Sequence, residues 1–393
     1  MRTQMKRAVL TTLPVAALGM AAGAAHAQSS VTLYGTIDTS ITYIHHAAGG
    51  DNQWSLGNSA NGNLSGTRWG LKGAEDLGGG LKAIFQLENG FNPSNGALGQ
   101  GGRIFGRQAF VGLSSEQYGS LTLGRQYDPL IDLVQGITAD NYFGSAFATP
   151  GDVDNYDNSF RVNNSVKYTT PLWNGLQAVA MYSFGGVAGA TGAEQSYSAA
   201  LAYTNGPLSL AGGYFHAANS AASAGLRTDT GWTSTSDGTF DGPINLGYAS
   251  ASSLSIARVA GQYVLGPFTF GLGYSNARYA PDGSSLFFST QKYNTGQGFL
   301  NYQAAPALLL GLGYSYTHGN GDTTATYHQV SVGADYSLSK RTDLYMTAAW
   351  QHASGQTGDG AGGAMPAQAS IGSYGYAGTG SQTMVNLGLR HKF

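Results

Sequence analysis

The sequence predicts an all-β fold, a sixteen-stranded antiparallel transmembrane β-barrel. Three observations carry this: apolar and polar residues alternate along successive runs, connections are short and long by turns, and the last residue sits inside a strand pattern. Composition agrees with it. Sixty glycines, 24 tyrosines, 16 phenylalanines and only 40 charged residues fit neither an ordinary soluble enzyme nor a disordered chain. Beyond residue 30 no stretch of about 18 apolar residues occurs, so a membrane-embedded chain of this kind must cross as a closed barrel.

At the N-terminus, Arg2, Lys6 and Arg7 precede an apolar run from Ala8 to Ala22 and the small-residue site Ala25-His26-Ala27. That is the pattern of a secretory signal cleaved before Gln28. Thr11, Thr12, Pro14 and Gly19 interrupt the run, which is also short for an anchoring helix. The expected division is therefore a signal peptide over 1–27 and the barrel over 28–393. Without the three leader cations, 16 Lys and Arg stand against 21 Asp and Glu, a net charge of −5 that argues against a general nucleic-acid binder. The chain has no cysteine, which excludes a disulfide scaffold.

In VTLYGTIDTSITY, Leu33, Ile37, Ile41 and Tyr43 take one strand face, and Thr32, Thr36, Asp38, Ser40 and Thr42 take the other. LKAIFQLE sets Leu81, Ala83, Phe85 and Leu87 against Lys82, Gln86 and Glu88. Similar runs recur over 301–317 and 330–350, and GLGYS occurs twice, from Gly271 and from Gly311. Seven tight turns are expected, at 76–80, 116–119, 171–175, 205–207, 266–267, 304–307 and 339–342. Eight longer loops are expected near 45–65, 92–102, 128–160, 184–195, 217–252, 280–290, 319–325 and 354–380. Those fifteen connections give sixteen strands, an even number within the range of single-chain outer-membrane barrels. No fixed-period repeat points to a propeller or β-helix. At the C-terminus, Val385, Leu387, Leu389, His391 and Phe393 share one parity, as they must if the final strand closes the barrel against the first.

Several stretches together resemble the general porins of the Gram-negative outer membrane, of the β-proteobacterial type. They are SSVTLYGTID, RWGLKGAEDLGGGLKAIFQLE, RQAFVGL, GSLTLGRQ, RVNNSVKYTTP, YSLSKRT and the ending RHKF, spread from Ser29 to Phe393. The resemblance implies a passive outer-membrane channel for small hydrophilic solutes and ions. It further implies a homotrimer of water-filled barrels embedded in outer-membrane lipid, each narrowed by an inward-folded third loop, here Asp128 to Ser159. The terminal Phe393, preceded by Lys392, is similar to the signal read by the barrel-assembly machinery.

A diffusive channel breaks no bond, so its functional residues set width and field. Parity sends Arg68 and Lys72 inward opposite Trp69 and Leu71, and Lys82 inward opposite Phe85 and Leu87. Likewise Arg161, Ser165 and Lys167 oppose Val162, Val166 and Tyr168. A cation on the lipid side would cost about 2–4 kcal/mol at the bilayer midplane. Arg107 shares parity with Val111 and Leu113, so only a bulge turns it inward; Arg125 meets the same difficulty. The resemblance implies that Arg68, Arg107 and Arg161 supply constriction arginines. Facing acids would come from Asp128, Asp132, Asp140, Asp152, Asp154 and Asp157, of which about a third are expected at the pore because Asp so often caps turns.

No cofactor or metal is expected. His45-His46 lacks further ligands at workable spacing, and Gly319-Asn320-Gly321-Asp322 lacks the later carboxylates of a calcium loop. The remaining alternatives are a solute-specific channel, a barrel enzyme using His216 or His328, for which no Ser partner is evident, and an adhesin working through 217–252.

Overall fold

The computed structural model describes residues 30–57, 63–220, 232–235, 240, 242–372, 375 and 378–393; the expected signal peptide lies outside the described residues. Eighteen strands follow in order among them. The first nine are β1 (Ser30–His45), β2 (Gln53–Gly57), β3 (Arg68–Gly78), β4 (Leu81–Gly90), β5 (Gln108–Ser115), β6 (Gly119–Gln126), β7 (Val162–Thr169), β8 (Leu176–Ser183) and β9 (Ser196–Asn205). The rest are β10 (Leu208–Ala218), β11 (Ser253–Leu265), β12 (Phe268–Ala280), β13 (Gln291–Ala305), β14 (Leu308–Asn320), β15 (Ala325–Ser337), β16 (Thr342–Gly358), β17 (Ala364–Pro366) and β18 (Ser381–Lys392).

Sixteen of these form one antiparallel ring. The short β2 and β17 are loop strands that pair only with β1 and β16 respectively. The ring closes where β1 meets β18, with Thr36 opposite Lys392 and His45 opposite Thr383. Phe393 extends that seam: its N–H donates to the Gly35 carbonyl and its carbonyl accepts the Gly35 N–H, both at 3.0 Å. Its ring lies over Gly35, where a Cβ would come within 2.3 Å of the ring edge.

All seven expected tight turns are present, each joining consecutive strands. In the first, Gly78, Gly79 and Gly80 all have positive φ, a run that side chains with a Cβ would resist. Seven of the eight expected outer loops are long. The eighth is a correction: β14 runs on to Asn320 and β15 starts at Ala325, so the connection spans only residues 321–324.

The outer wall carries Leu33, Ile37, Ile41, Val111, Leu121, Leu312, Val330 and Leu387, all exposed, as a lipid-facing band. Exposed aromatics border it at both ends. Tyr118, Trp173, Tyr263, Tyr302 and Tyr336 stand beside the tight turns, and Trp54, Phe184, Tyr197, Tyr316 and Trp350 stand nearer the long loops.

The interior is divided. Along β1, β3, β4 and β18 the inward residues are mostly polar, including Thr36, Asp38, Glu88 and Asn386, with Ile44 and Met384 buried toward the long-loop end. Across β10–β16 they include buried apolar groups such as Phe215, Ile256, Tyr279 and Tyr293, which pack with residues of the third and fifth outer loops. Part of the lumen is therefore dry, which strict alternation does not announce.

Removing Phe393 takes away two backbone hydrogen bonds, each worth about 0.5–1.5 kcal/mol, together with the ring over Gly35. The deletion should lower the yield of heat-modifiable folded barrel on unheated gels, while the channels that do form keep wild-type conductance.

Candidate functional site

The third outer loop, 127–161, folds into the barrel because its own sequence anchors it at several points. Asp128 caps α1 (Pro129–Leu133) by accepting the Leu130 N–H at 2.8 Å, with proline at the first helical position. Its other oxygen accepts the Asn155 amide at 3.2 Å, tying the loop's start to its return. Leu130 and Val134 bury themselves against Phe160, Val162, Met181 and Phe215.

Farther along, α2 (Asp140–Phe143) carries Phe143, which stacks on Phe147 with centroids 4.9 Å apart. Both rings rest on bare strand. A Cβ at Gly311 or Gly333 would approach Phe143 to 2.1 or 2.3 Å, and one at Gly313 would approach Phe147 to 2.7 Å. In the second GLGYS, then, the glycines leave room for loop aromatics. Polar ties complete the seat: Ser331 donates to the Ala146 carbonyl at 2.6 Å, and Gln329 to the Ala148 carbonyl at 2.9 Å. Arg258 donates to the Asp154 carbonyl at 2.9 Å and stacks on Tyr156, 4.1 Å from the ring centre.

With the loop held against β10–β15, a cavity of about 390 Å³ remains between it and the opposite wall. Five cations line it: Arg68, Arg107, Arg161, Arg390 and Lys392; two of the carboxylates expected from the loop do so too, Asp140 and Asp157. Glu88, at 3% exposure, sits behind the arginines. Arg107 donates to it at 2.7 Å, Arg68 lies 3.7 Å away, and the Tyr34 and Tyr127 hydroxyls donate at 2.8 and 3.0 Å. Tyr127 also stacks beneath Arg161 and Arg107, at 5.5 and 5.9 Å.

Arg107 faces inward despite its parity because it precedes β5, and its N–H donates to the carbonyl of Glu88, whose strand partner is Gln108. Two residues thus oppose one, as in a bulge. A second irregularity moves the register between Gly124 and Gln126, opposite Ser165 and Val162, with Asn164 at φ 50°. Arg161 reaches the cavity from there, while Val162, expected toward lipid, is buried in the inner apolar cluster.

The other expected residues lie elsewhere. Lys167 is tied to Asp132 at 2.7 Å and to the Tyr127 carbonyl at 3.0 Å. Arg125 braces the loop bases by donating to the Gly106 carbonyl at 2.7 Å and to Asn163. Lys72 lies over the Tyr34 ring at 5.3 Å, and Lys82 is exposed beside the first tight turn. Asp152 binds Ser159 at 2.6 Å, and Asp154 binds Thr149 at 2.5 Å and Ser275. Asp128, Asp132, Asp152 and Asp154 thus serve loop geometry and do not line the cavity.

Sequence reading misses Glu88 as the carboxylate behind the arginines, and Arg390 and Lys392 as cavity groups. Parity could have found the last two, since they alternate with Leu389, His391 and Phe393. Arg390 is held by Asp343 at 2.7 Å and Asp335 at 3.4 Å, and Lys392 lies 3.6 Å from Asp343. Among the described residues no cluster of three or more His, Cys, Asp or Glu could hold a metal.

Comparison with known proteins places this geometry. The family described as Gram-negative porin matches residues 15–356. An outer membrane porin protein of Bordetella pertussis is 34% identical, covering 85% of this chain and 92% of its own length. Outer membrane porin protein 32 of Delftia acidovorans is 33% identical, with 83% and 84% covered. Among solved structures, an anion-selective porin from Comamonas acidovorans superposes with TM-score 0.70 at 27% identity, over 93% of this chain and 100% of that one.

Burial pushes the Asp140 carboxyl up to about 6, with bonds from Thr138 at 2.5 Å and Gln135 at 2.9 Å acting the other way. Above that value the group is anionic; as pH falls through it, the cavity loses one negative charge. Anion-over-cation permeability should therefore rise between pH 7 and pH 5 in bilayer recordings, and Asp140→Asn should remove most of that rise.

Proposed function

The chain belongs to the Gram-negative porin family, and from that premise we propose that its channel prefers anions, with the field set by Arg68 and Arg161 facing the third loop. It is a passive diffusion channel of the outer membrane for small hydrophilic solutes and ions. The observation that supports the preference is the charge lining the cavity, five cations against Asp140 and Asp157. These do not contribute equally. Arg107 is neutralised by Glu88, and Asp343 and Asp335 offset Arg390 and Lys392. Arg161 spends one N–H on the Ser159 carbonyl at 3.0 Å and keeps a buried Nε with no protein partner. Arg68 donates to the Gly66 carbonyl at 2.7 Å and lies too far from Glu88 for a direct hydrogen bond. Of the four arginines that line the cavity, these two have no hydrogen bond to a carboxylate, so their charge is the least compensated.

The cations on one side and carboxylates on the other set up a transverse field that orders water and dipolar solutes, so apolar solutes are slowed relative to polar ones of equal size. The similarity to an anion-selective porin supports the same reading. We further take the working form to be a homotrimer, inserted by the barrel-assembly machinery through the strand ending in Phe393, after residues 1–27 are removed as a signal peptide.

Arg68→Gln combined with Arg161→Gln should move the zero-current potential in asymmetric potassium chloride toward cations, with a several-fold fall in the anion-to-cation permeability ratio and normal trimer yield. An unchanged potential in correctly folded protein would remove the two arginines from the site. Arg107 is left intact because losing it would strand the buried Glu88 carboxylate, a change that destabilises by about 3–5 kcal/mol where a buried pair is broken.

A further inference from the structure

On the outer wall, three features line up along β12 and β13. At the long-loop end, Arg278 and Lys292 are direct cross-strand partners, and both are exposed on the lipid-facing parity shared with Leu272 and Leu300. One level down, Asn276 donates to Asn294 at 2.8 Å, and the Tyr274 hydroxyl donates to the same oxygen at 2.8 Å. Below that, the wall is hollow. Gly296 and Gly298 floor a groove of about 800 Å³ walled by Leu272, Leu300, Leu312 and Val330. A Cβ at Gly296 would meet nothing within 4 Å. The volume is in the range of about 300–1,000 Å³ typical of small-ligand sites.

Like charges directly opposite on neighbouring strands destabilise each other. Among the described residues neither cation forms an ion pair. Arg278 donates only to Asn276, at 2.6 Å, and the nearby loop carboxylates accept backbone N–H groups, Asp282 from Ser284 at 2.9 Å and Asp322 from Phe288 at 2.8 Å. An anion lying between Arg278 and Lys292 would relieve their repulsion. The groove floor starts four residues along from Lys292, about 13 Å at strand rise. The polar band between them stands where the sugar and ester oxygens of a lipid would lie.

We propose that this face holds one molecule of the phosphorylated glycolipid of the outer leaflet, with a phosphate between Arg278 and Lys292 and an acyl chain in the groove over Gly296 and Gly298. The long-loop end fixes the leaflet as the outer one. Inside a bilayer an acyl chain gains no hydrophobic driving force from leaving other lipid, so the groove supplies fit and the two cations supply selection.

The test uses purified full-length porin in detergent with lipid A as the probe, read by native mass spectrometry and by titration of intrinsic fluorescence. Wild-type protein should bind lipid A at least tenfold more tightly than Arg278→Gln/Lys292→Gln does. Gly296→Leu, whose Cβ enters open space and whose side chain occupies the groove, should weaken binding with both cations intact. Lipid A stripped of phosphate, and phosphatidylglycerol, should bind more weakly than lipid A itself. Equal affinity across the variants overturns the proposal, as does phosphatidylglycerol binding as tightly as lipid A. It is also overturned if Gly296→Leu changes subunit assembly and leaves lipid affinity alone, because the groove would then be a contact between copies. All variants should keep heat-modifiable migration and wild-type conductance, since none of these side chains faces the lumen.

Discussion

The structure depends on one constraint: within hydrocarbon, every backbone N–H and C=O must find its partner in the protein. A sheet that crosses the membrane can meet that demand only by returning to its own first strand. The register of β18 on β1 does this, and Phe393 carries the pairing to the last residue. Closure then fixes which residues face water. Once the ring is shut, the strand period of two sends every other side chain outward, and charged groups at membrane depth are confined to the inside.

The same period made most of the barrel readable in advance. The tight turns could be placed because Gly, Pro and Asn mark them and because strand length in a bilayer is bounded. Parity alone stops being a guide where the register shifts. At Arg107 the bulge that an inward arginine requires is present just before β5, and at Asn164 an extra residue carries Val162 inward against its expected lipid-facing parity. Such irregularities leave little mark in a single sequence, because the residue that absorbs them need not be glycine. Arg390 and Lys392 are legible by parity, since they fall on the face of β18 opposite Leu387 and Leu389. The connection at 321–324 lies where it is expected but is shorter, because Gly, Asn, Asp and Thr end a strand as readily as they fill a loop.

The dry half of the lumen was the least legible feature. Its inward residues include many tyrosines, alanines and glycines, types that a wet wall also uses, and only their contact with the outer loops shows what they do. The glycines of the second GLGYS are not merely flexible or small by chance. At Gly311 and Gly313 of that motif, and at Gly333 on β15, the missing side chains form the seat into which Phe143 and Phe147 fit. Apolar packing on one wall thus sets how far the loop stands from the other.

Position and field are therefore controlled by different groups. Three arginines crowded around Tyr127 would repel one another, and the buried Glu88 holds Arg107 in place through a direct ion pair and two phenol hydrogen bonds. A buried pair of this kind adds little net stability of its own. It does give a wall in which Arg107 is spent on structure, while Arg68 and Arg161, without a carboxylate hydrogen bond, are the groups we propose act on solutes. Across the cavity the division repeats: Asp128, Asp132, Asp152 and Asp154 fasten the loop, and Asp140 and Asp157 face the opening. A substitution among the fastening groups should alter pore width before ion preference, and one among the facing groups the reverse, because only the latter meet solute while only the former hold the loop.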